Sequence, residues 1–139
     1  MKIVFTNGCF DLVHRGHLEL LWACKRVSSD AYVVVGLNSD KSVKSLKGDG
    51  RPINNESDRR FMLESIKYVD EVILFDEDTP YELIKRLQPD LIMKGGDYEP
   101  EEVSGADICP VSIFNCLNKD GVKLSSSSII EKIQKNVRL

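Results

Sequence analysis

His14 and His17 stand three residues apart at the end of the run Asn7-Gly8-Cys9-Phe10-Asp11-Leu12-Val13-His14-Arg15-Gly16-His17, and they are the only histidines in the chain. On the first turn of a helix this spacing puts both imidazoles on one side. Gly16 removes a side chain between them and lets a bulky ligand approach the backbone. A helix N-terminus adds N–H groups without intrahelical partners and a partial positive charge, so the place suits phosphate. The same residues also read as two capping or core-edge histidines. As a metal pair they have only Cys9 nearby as a third ligand.

Other charged, glycine and hydroxyl groups cluster along the chain. Lys44, Lys47 and Arg51 form a basic loop, which taken alone reads as solvated charge. Arg59-Arg60 reads as helix surface, Gly95-Gly96-Asp97 as a tight turn, and Ser125 to Ser128 as a helix cap with its neighbours.

These groups are positioned by alternating β-branched runs and helical patterns. Strands are expected at Ile3–Phe5, Ala31–Leu37, Val72–Phe75, Leu91–Met93 and Ile108–Phe114, the last with Pro110 inside it. Leu18, Leu21, Trp22 and Lys25 recur at helical spacing, with Trp22 assigned to the core or a dimer contact. Helices are also expected at 40–46, at 56–68 with Phe61, Leu63 and Ile66 buried, and at 129–137. Thr79 and Pro80 read as the N-cap and first residue of a helix ending at Leu87. Such alternation predicts one α/β domain, residues 1–139, with a parallel five-stranded sheet and helices on both faces. Ligands of such sheets bind beyond the carboxyl ends of the strands, where the groups above fall.

Length and composition fit a folded single domain: 139 residues, 42% hydrophobic and 29% charged. A formal charge of −3 gives no general attraction for nucleic acid or anionic membranes, so neither is expected as a partner. Cys9, Cys24, Cys109 and Cys116 match no metal or disulfide spacing and read as small hydrophobes in a reducing, cytoplasmic setting. No signal segment or stretch of transmembrane length is seen.

The segment GCFDLVHRGH (8–17) resembles the signature of the cytidylyltransferase-like nucleotidyltransferases, a Gly-x-Phe-Asp run followed by His-x-Gly-His. LKGDGRPIN (46–54), VDEVILFDEDTP (69–80) and PDLIMKGGDYEPEEVSGA (89–106) resemble the adenylyltransferase half of bifunctional heptose-7-phosphate kinase/heptose-1-phosphate adenylyltransferases. The resemblance implies a single Rossmann-like domain that transfers AMP from ATP to D-glycero-D-manno-heptose 1-phosphate and releases pyrophosphate. It also implies Mg²⁺ arriving with the triphosphate and a homodimer. RRFMLESIKYVDEVI (59–73) equally resembles glycerol-3-phosphate cytidylyltransferases, which keeps CTP and a polyol phosphate open. A nucleotide-binding regulatory module is the reading outside enzymes.

Carried onto this chain, the resemblance gives His14 and His17 the nucleotide phosphates, with Asn7, Gly8, Cys9 and Phe10 lining their pocket. Asp11 would organise the loop or the substrate side. Lys44 or Lys47, with Arg51, would reach the triphosphate or the acceptor phosphate. Arg59 aligns with a nucleotide-binding arginine, Gly95-Gly96-Asp97 would meet base and ribose, and Ser125, Ser126 and Ser127 the outer phosphates. The family's closing Gly-x-Ser-Thr-Thr is replaced by Gly121-Val122-Lys123-Leu124 and four serines. Asn118-Lys119-Asp120 stands where some relatives carry an arginine, leaving Lys119 or Lys123 as substitutes. An acceptor phosphate monoester has a second pKa of about 6 and is largely dianionic near neutrality, so the reaction calls for positioning and charge neutralisation rather than a general base.

Overall fold

The computed structural model describes residues 1–96, 98–115 and 125–136. Five parallel strands form one sheet in the order β3-β2-β1-β4-β5. They are β1 (Lys2–Gly8), β2 (Ala31–Asn38), β3 (Glu71–Phe75), β4 (Leu91–Gly95) and β5 (Val111–Phe114). Between and after them run α1 (Arg15–Lys25), α2 (Asp40–Lys47), α3 (Glu56–Glu64), α4 (Tyr81–Leu87) and α5 (Ser126–Asn136).

Strand alternation divides the core in two. Val4, Val33, Val35, Leu37 and Met93 pack with Leu20, Leu21 and Cys24 of α1 and Leu63 of α3. Phe5, Val34 and Ile92 face the other way, onto Leu83 and Ile84 of α4 and onto Val103. Helices therefore cover both faces, as the uninterrupted apolar β2 requires. The outermost positions are β3 and β5; β1 lies at the centre, so its C-terminal end opens beside those of β2 and β4.

Some boundaries differ from the expectation. The α3 helix stops at Glu64, where the Ser65 hydroxyl donates to the Phe61 carbonyl at 2.8 Å. Phe61 is 71% exposed, whereas Leu63 is fully buried and Ile66 packs at the margin of the first core. Trp22 is 41% exposed and stacks under Arg26 rather than entering the core. Pro80, not Thr79, occupies the cap of α4, with no side-chain cap bond. β5 begins after Pro110, whose carbonyl takes the Ile92 N–H but which has no N–H to give the ladder. The serines enter the last helix: the Ser125 hydroxyl takes the Ser128 N–H, and the Ser128 hydroxyl takes the Ser125 N–H. Cys24 is buried, while Cys9 and Cys109 are half-buried and all three are free. Cys116, Lys119, Gly121 to Leu124 and Val137 lie outside the described residues.

Candidate active site

The chain leaves β1 at Gly8 and must turn sharply to start α1. A Cβ on Gly8 would sit 3.1 Å from the Phe10 ring, so glycine lets that ring fold back. Phe10 takes a left-handed backbone (φ 47°) and is buried. Its ring lies 4.9 Å from that of His17, which it helps to fix.

His14 is the N-cap of α1. Its Nδ1 accepts the Gly16 N–H at 3.1 Å, and His17 Nδ1 accepts the His14 N–H at 3.2 Å. The imidazoles thus form a reciprocal capping box and stack with centroids 3.9 Å apart. The capping reading holds, and it carries a chemical consequence. With each Nδ1 accepting, the proton of each neutral ring sits on Nε2, so capping makes both rings donors.

Burial, then the charges of His14 and Lys47, push the His17 pKa down to about 3. Burial alone lowers that of His14. In the unfolded chain histidine takes up a proton near 6.5. Between that value and about 3 the unfolded state holds more protons than the folded one, so stability is full above 6.5 and declines as pH falls. Melting temperature should therefore drop between about pH 7.5 and about pH 5, above the range where carboxylates titrate. His17→Gln, which keeps a capping side chain at N3, should show a shallower drop in thermal denaturation. Equal slopes in the two proteins would refute the assignment.

A hollow of about 330 Å³ faces the pair. It gathers Asn7, Gly8, Cys9, Phe10, Asp11, His14, His17, Lys47, Gly95, Ser125 and Ser127, residues separated by more than a hundred positions in the chain. Lys94, Gly96, Tyr98, Leu20 and Phe114 also line it. Asp97 and the side chain of Ser126 are outside the described residues.

Asp11 ties two loops together. Its carboxylate accepts the N–H groups of Ile53 and Asn54, each at 2.8 Å, and Arg51 Nε at 3.1 Å. Burial raises its pKa, but the Asn54 and Ile53 N–H groups and the Arg51 guanidinium outweigh that and hold it below the ordinary carboxylate value. Asp11 therefore anchors the loop, while its position on the wall leaves it beside any ligand. Arg51 and Lys44 line a separate hollow with Asp40 and Asp58, and Lys44 pairs with the exposed Asp49 at 3.8 Å. Lys47, by contrast, is on the wall of the histidine hollow.

Arg59 is elsewhere. Its guanidinium is fully buried and donates to the carbonyls of Asn54, Cys9 and Asn38 and to the Asp40 carboxylate at 2.7–2.9 Å. It does not line the hollow; it pins the loop that does. Lys94 carries no signal of a site residue in the sequence alone. Only the parallel pairing of β1 with β4 brings it across from Asn7, whose carbonyl and side-chain oxygens receive its Nζ at 3.3 and 3.4 Å.

No helix among the described residues is long and apolar enough to cross a membrane. The chain is 48% identical over 134 residues to the bifunctional protein HldE of Wolinella succinogenes, covering 96% of this chain and 27% of that protein. It is 52% identical, over 96% of its length and 28% of the relative, to the bifunctional protein HldE of Campylobacter jejuni subsp. doylei. The chain thus spans about a quarter of the length of these curated relatives. In structure it is similar to a lipopolysaccharide core biosynthesis protein from Thermoplasma volcanium, with a TM-score of 0.64, 25% identity and coverage of 90% of this chain and 99% of that one. Residues 5–132 match the cytidylyltransferase-like family from the middle of β1 into α5, taking in the histidine pair and every strand, and the chain belongs to that family.

Proposed function

We propose that residues 1–139 form a nucleotidyltransferase domain that transfers AMP from ATP to D-glycero-D-manno-heptose 1-phosphate and releases pyrophosphate. The observation that carries this reading is the pair of Nε2–H donors at the start of α1, which share the wall of one hollow of about 330 Å³ with Lys47 and Ser127. Similarity to the HldE proteins over nearly the whole chain supports the choice of donor and acceptor.

In this mechanism an oxygen of the acceptor phosphate attacks the α-phosphorus. A new P–O bond forms, the bond from the α-phosphorus to the bridging oxygen of the β-phosphate breaks, and pyrophosphate leaves with that electron pair. The nucleophile is already ionised, so no proton moves. Neutral His14 and His17 donate hydrogen bonds to phosphate oxygens as negative charge builds, and they need no rearrangement because the capping box has fixed them. Asp11 and Arg59 hold the loop that presents them. Mg²⁺ would neutralise charge on the outer phosphates. Arriving with the triphosphate, it would be held chiefly by phosphate oxygens and water. We place the protein in the cytoplasm, consistent with the free thiols of Cys9, Cys24 and Cys109 among the described residues, and as a homodimer.

Pyrophosphate release with ATP, CTP, GTP and UTP against heptose 1-phosphate and glycerol 3-phosphate tests the reading. Turnover with ATP and the heptose ester is expected. Turnover with CTP and the glycerol ester instead, which segment 59–73 keeps in view, would retain the mechanism and replace the substrates. Tight nucleotide binding with no turnover for any pair would favour a regulatory module.

A further inference from the structure

A second hollow, of about 300 Å³, opens beside the first and shares Asn7, Gly8, Cys9, Lys94 and Tyr98 with it. The end of β1 and Lys94 are thus a partition with a space on either side. The histidines and Lys47 belong to the first space only. Asp78 and Thr79, in the loop after β3, and Glu102 and Ser104, after β4, belong to the second only. Among the described residues Lys94 is the one cation lining the second space; its other charged walls, Asp78 and Glu102, are carboxylates.

We propose that Lys94 holds the phosphate group of the acceptor at this partition, with the acceptor's hydroxyl-bearing body lying among Asp78, Thr79 and Glu102. The inference rests on the reading of the protein as a sugar-phosphate nucleotidyltransferase, and it names the residue that reading lacks. A doubly charged phosphate entering a space walled by carboxylates needs a positive group at its inner end, and carboxylates in turn accept well from sugar hydroxyls. Lys94 has donor capacity to spare. Its bonds to Asn7, at 3.3 and 3.4 Å, lie beyond the usual range, whereas Lys25 Nζ meets the Asp70 carboxylate at 2.7 Å. Burial lowers the Lys94 pKa, and an arriving dianion favours its charged form again. In the transfer step Lys94 keeps its proton: it orients the attacking phosphate oxygen toward the α-phosphorus in the first space while pyrophosphate departs on the far side.

Lys94→Met keeps length and removes charge, and Lys94→Arg keeps charge. Both are compared with the unaltered chain by steady-state kinetics, by thermal denaturation as a check on folding, and by calorimetric binding of heptose 1-phosphate and glycerol 3-phosphate in the presence of α,β-methylene ATP. For Lys94→Met the expected result is an acceptor KM and Kd weakened about tenfold or more, with the ATP KM within about twofold of the original, because only a bond to the charged acceptor is lost. Lys94→Arg should recover part of the loss. A rise confined to the ATP KM, or no selective change at all while the unaltered chain turns over, overturns the inference and leaves the proposed function standing. Selective loss toward glycerol 3-phosphate, with heptose 1-phosphate inert to both proteins, upholds Lys94 and removes the heptose. Failure of the unaltered chain to bind either ester overturns both.

Discussion

His17→Ala should lower kcat/KM for pyrophosphate release by about 10²- to 10³-fold, the effect of deleting one preorganised donor to developing negative charge. His14→Ala should do the same, since each ring presents one Nε2–H and neither can serve the other's oxygen. The loss should fall on turnover more than on folding. Removing a capping side chain costs about 0.5–2 kcal/mol, too little to unfold a domain of ordinary stability. His17→Glu separates the two contributions, because an ionised glutamate at N3 retains the cap and carries acceptors only, with no donor where Nε2–H was. It should melt near the unaltered chain at neutral pH and still turn over poorly. If His14→Ala and His17→Ala both kept full turnover and nucleotide affinity, the histidine hollow would not be the active site.

The histidine loop was legible in the sequence because its chemistry is local. Spacing of three, an intervening glycine and a preceding strand together put both rings on one side of a helix start, and the structure adds that they stack at 3.9 Å. The strand order was not legible, and with it went Lys94. A lysine at the end of an apolar run reads as a solvated strand terminus until β4 is known to lie beside β1. The burial expected for Phe61 on α3 failed for a different reason. Phe61 and Leu63 are two residues apart, about 200° around a helix, and cannot share a buried face. Burying Leu63 leaves Phe61 exposed and turns inward the residue four positions before it, Arg59. That periodicity was available in the sequence; the apolar character of Phe61 obscured it. The basic loop divided for a topological reason: Lys47 ends α2 on the wall of the histidine hollow, while Lys44, one turn earlier, and Arg51 line the separate hollow that also holds Asp40 and Asp58.

Arg59 has the larger consequence for folding. Its side chain is fully enclosed and four donor contacts leave it, to three carbonyls from separate segments and to Asp40. Each of those carbonyls ends or follows a segment that shapes the site: Cys9 after β1, Asn38 at the end of β2, and Asn54 in the loop held by Asp11. Arg59→Met fills much of the volume but leaves the carbonyls of Cys9, Asn38 and Asn54 without their donor, together with a half-exposed Asp40. The expected destabilisation is about 3 kcal/mol or more, since each of the three carbonyls left without a donor costs about 1–3 kcal/mol, and it is measured as a lowered urea midpoint at unchanged slope. Arg59→Lys should recover little, because an ammonium group cannot reproduce the planar fork that spans three acceptors. Turnover in the folded fraction should also fall, since the Cys9 carbonyl belongs to the loop that carries the histidines. If Arg59→Met instead cost less than about 1 kcal/mol and raised the ATP KM sharply, the guanidinium would be a nucleotide ligand that swings out on binding. The four contacts, all within 2.9 Å and made by a side chain that is itself enclosed, favour the pin.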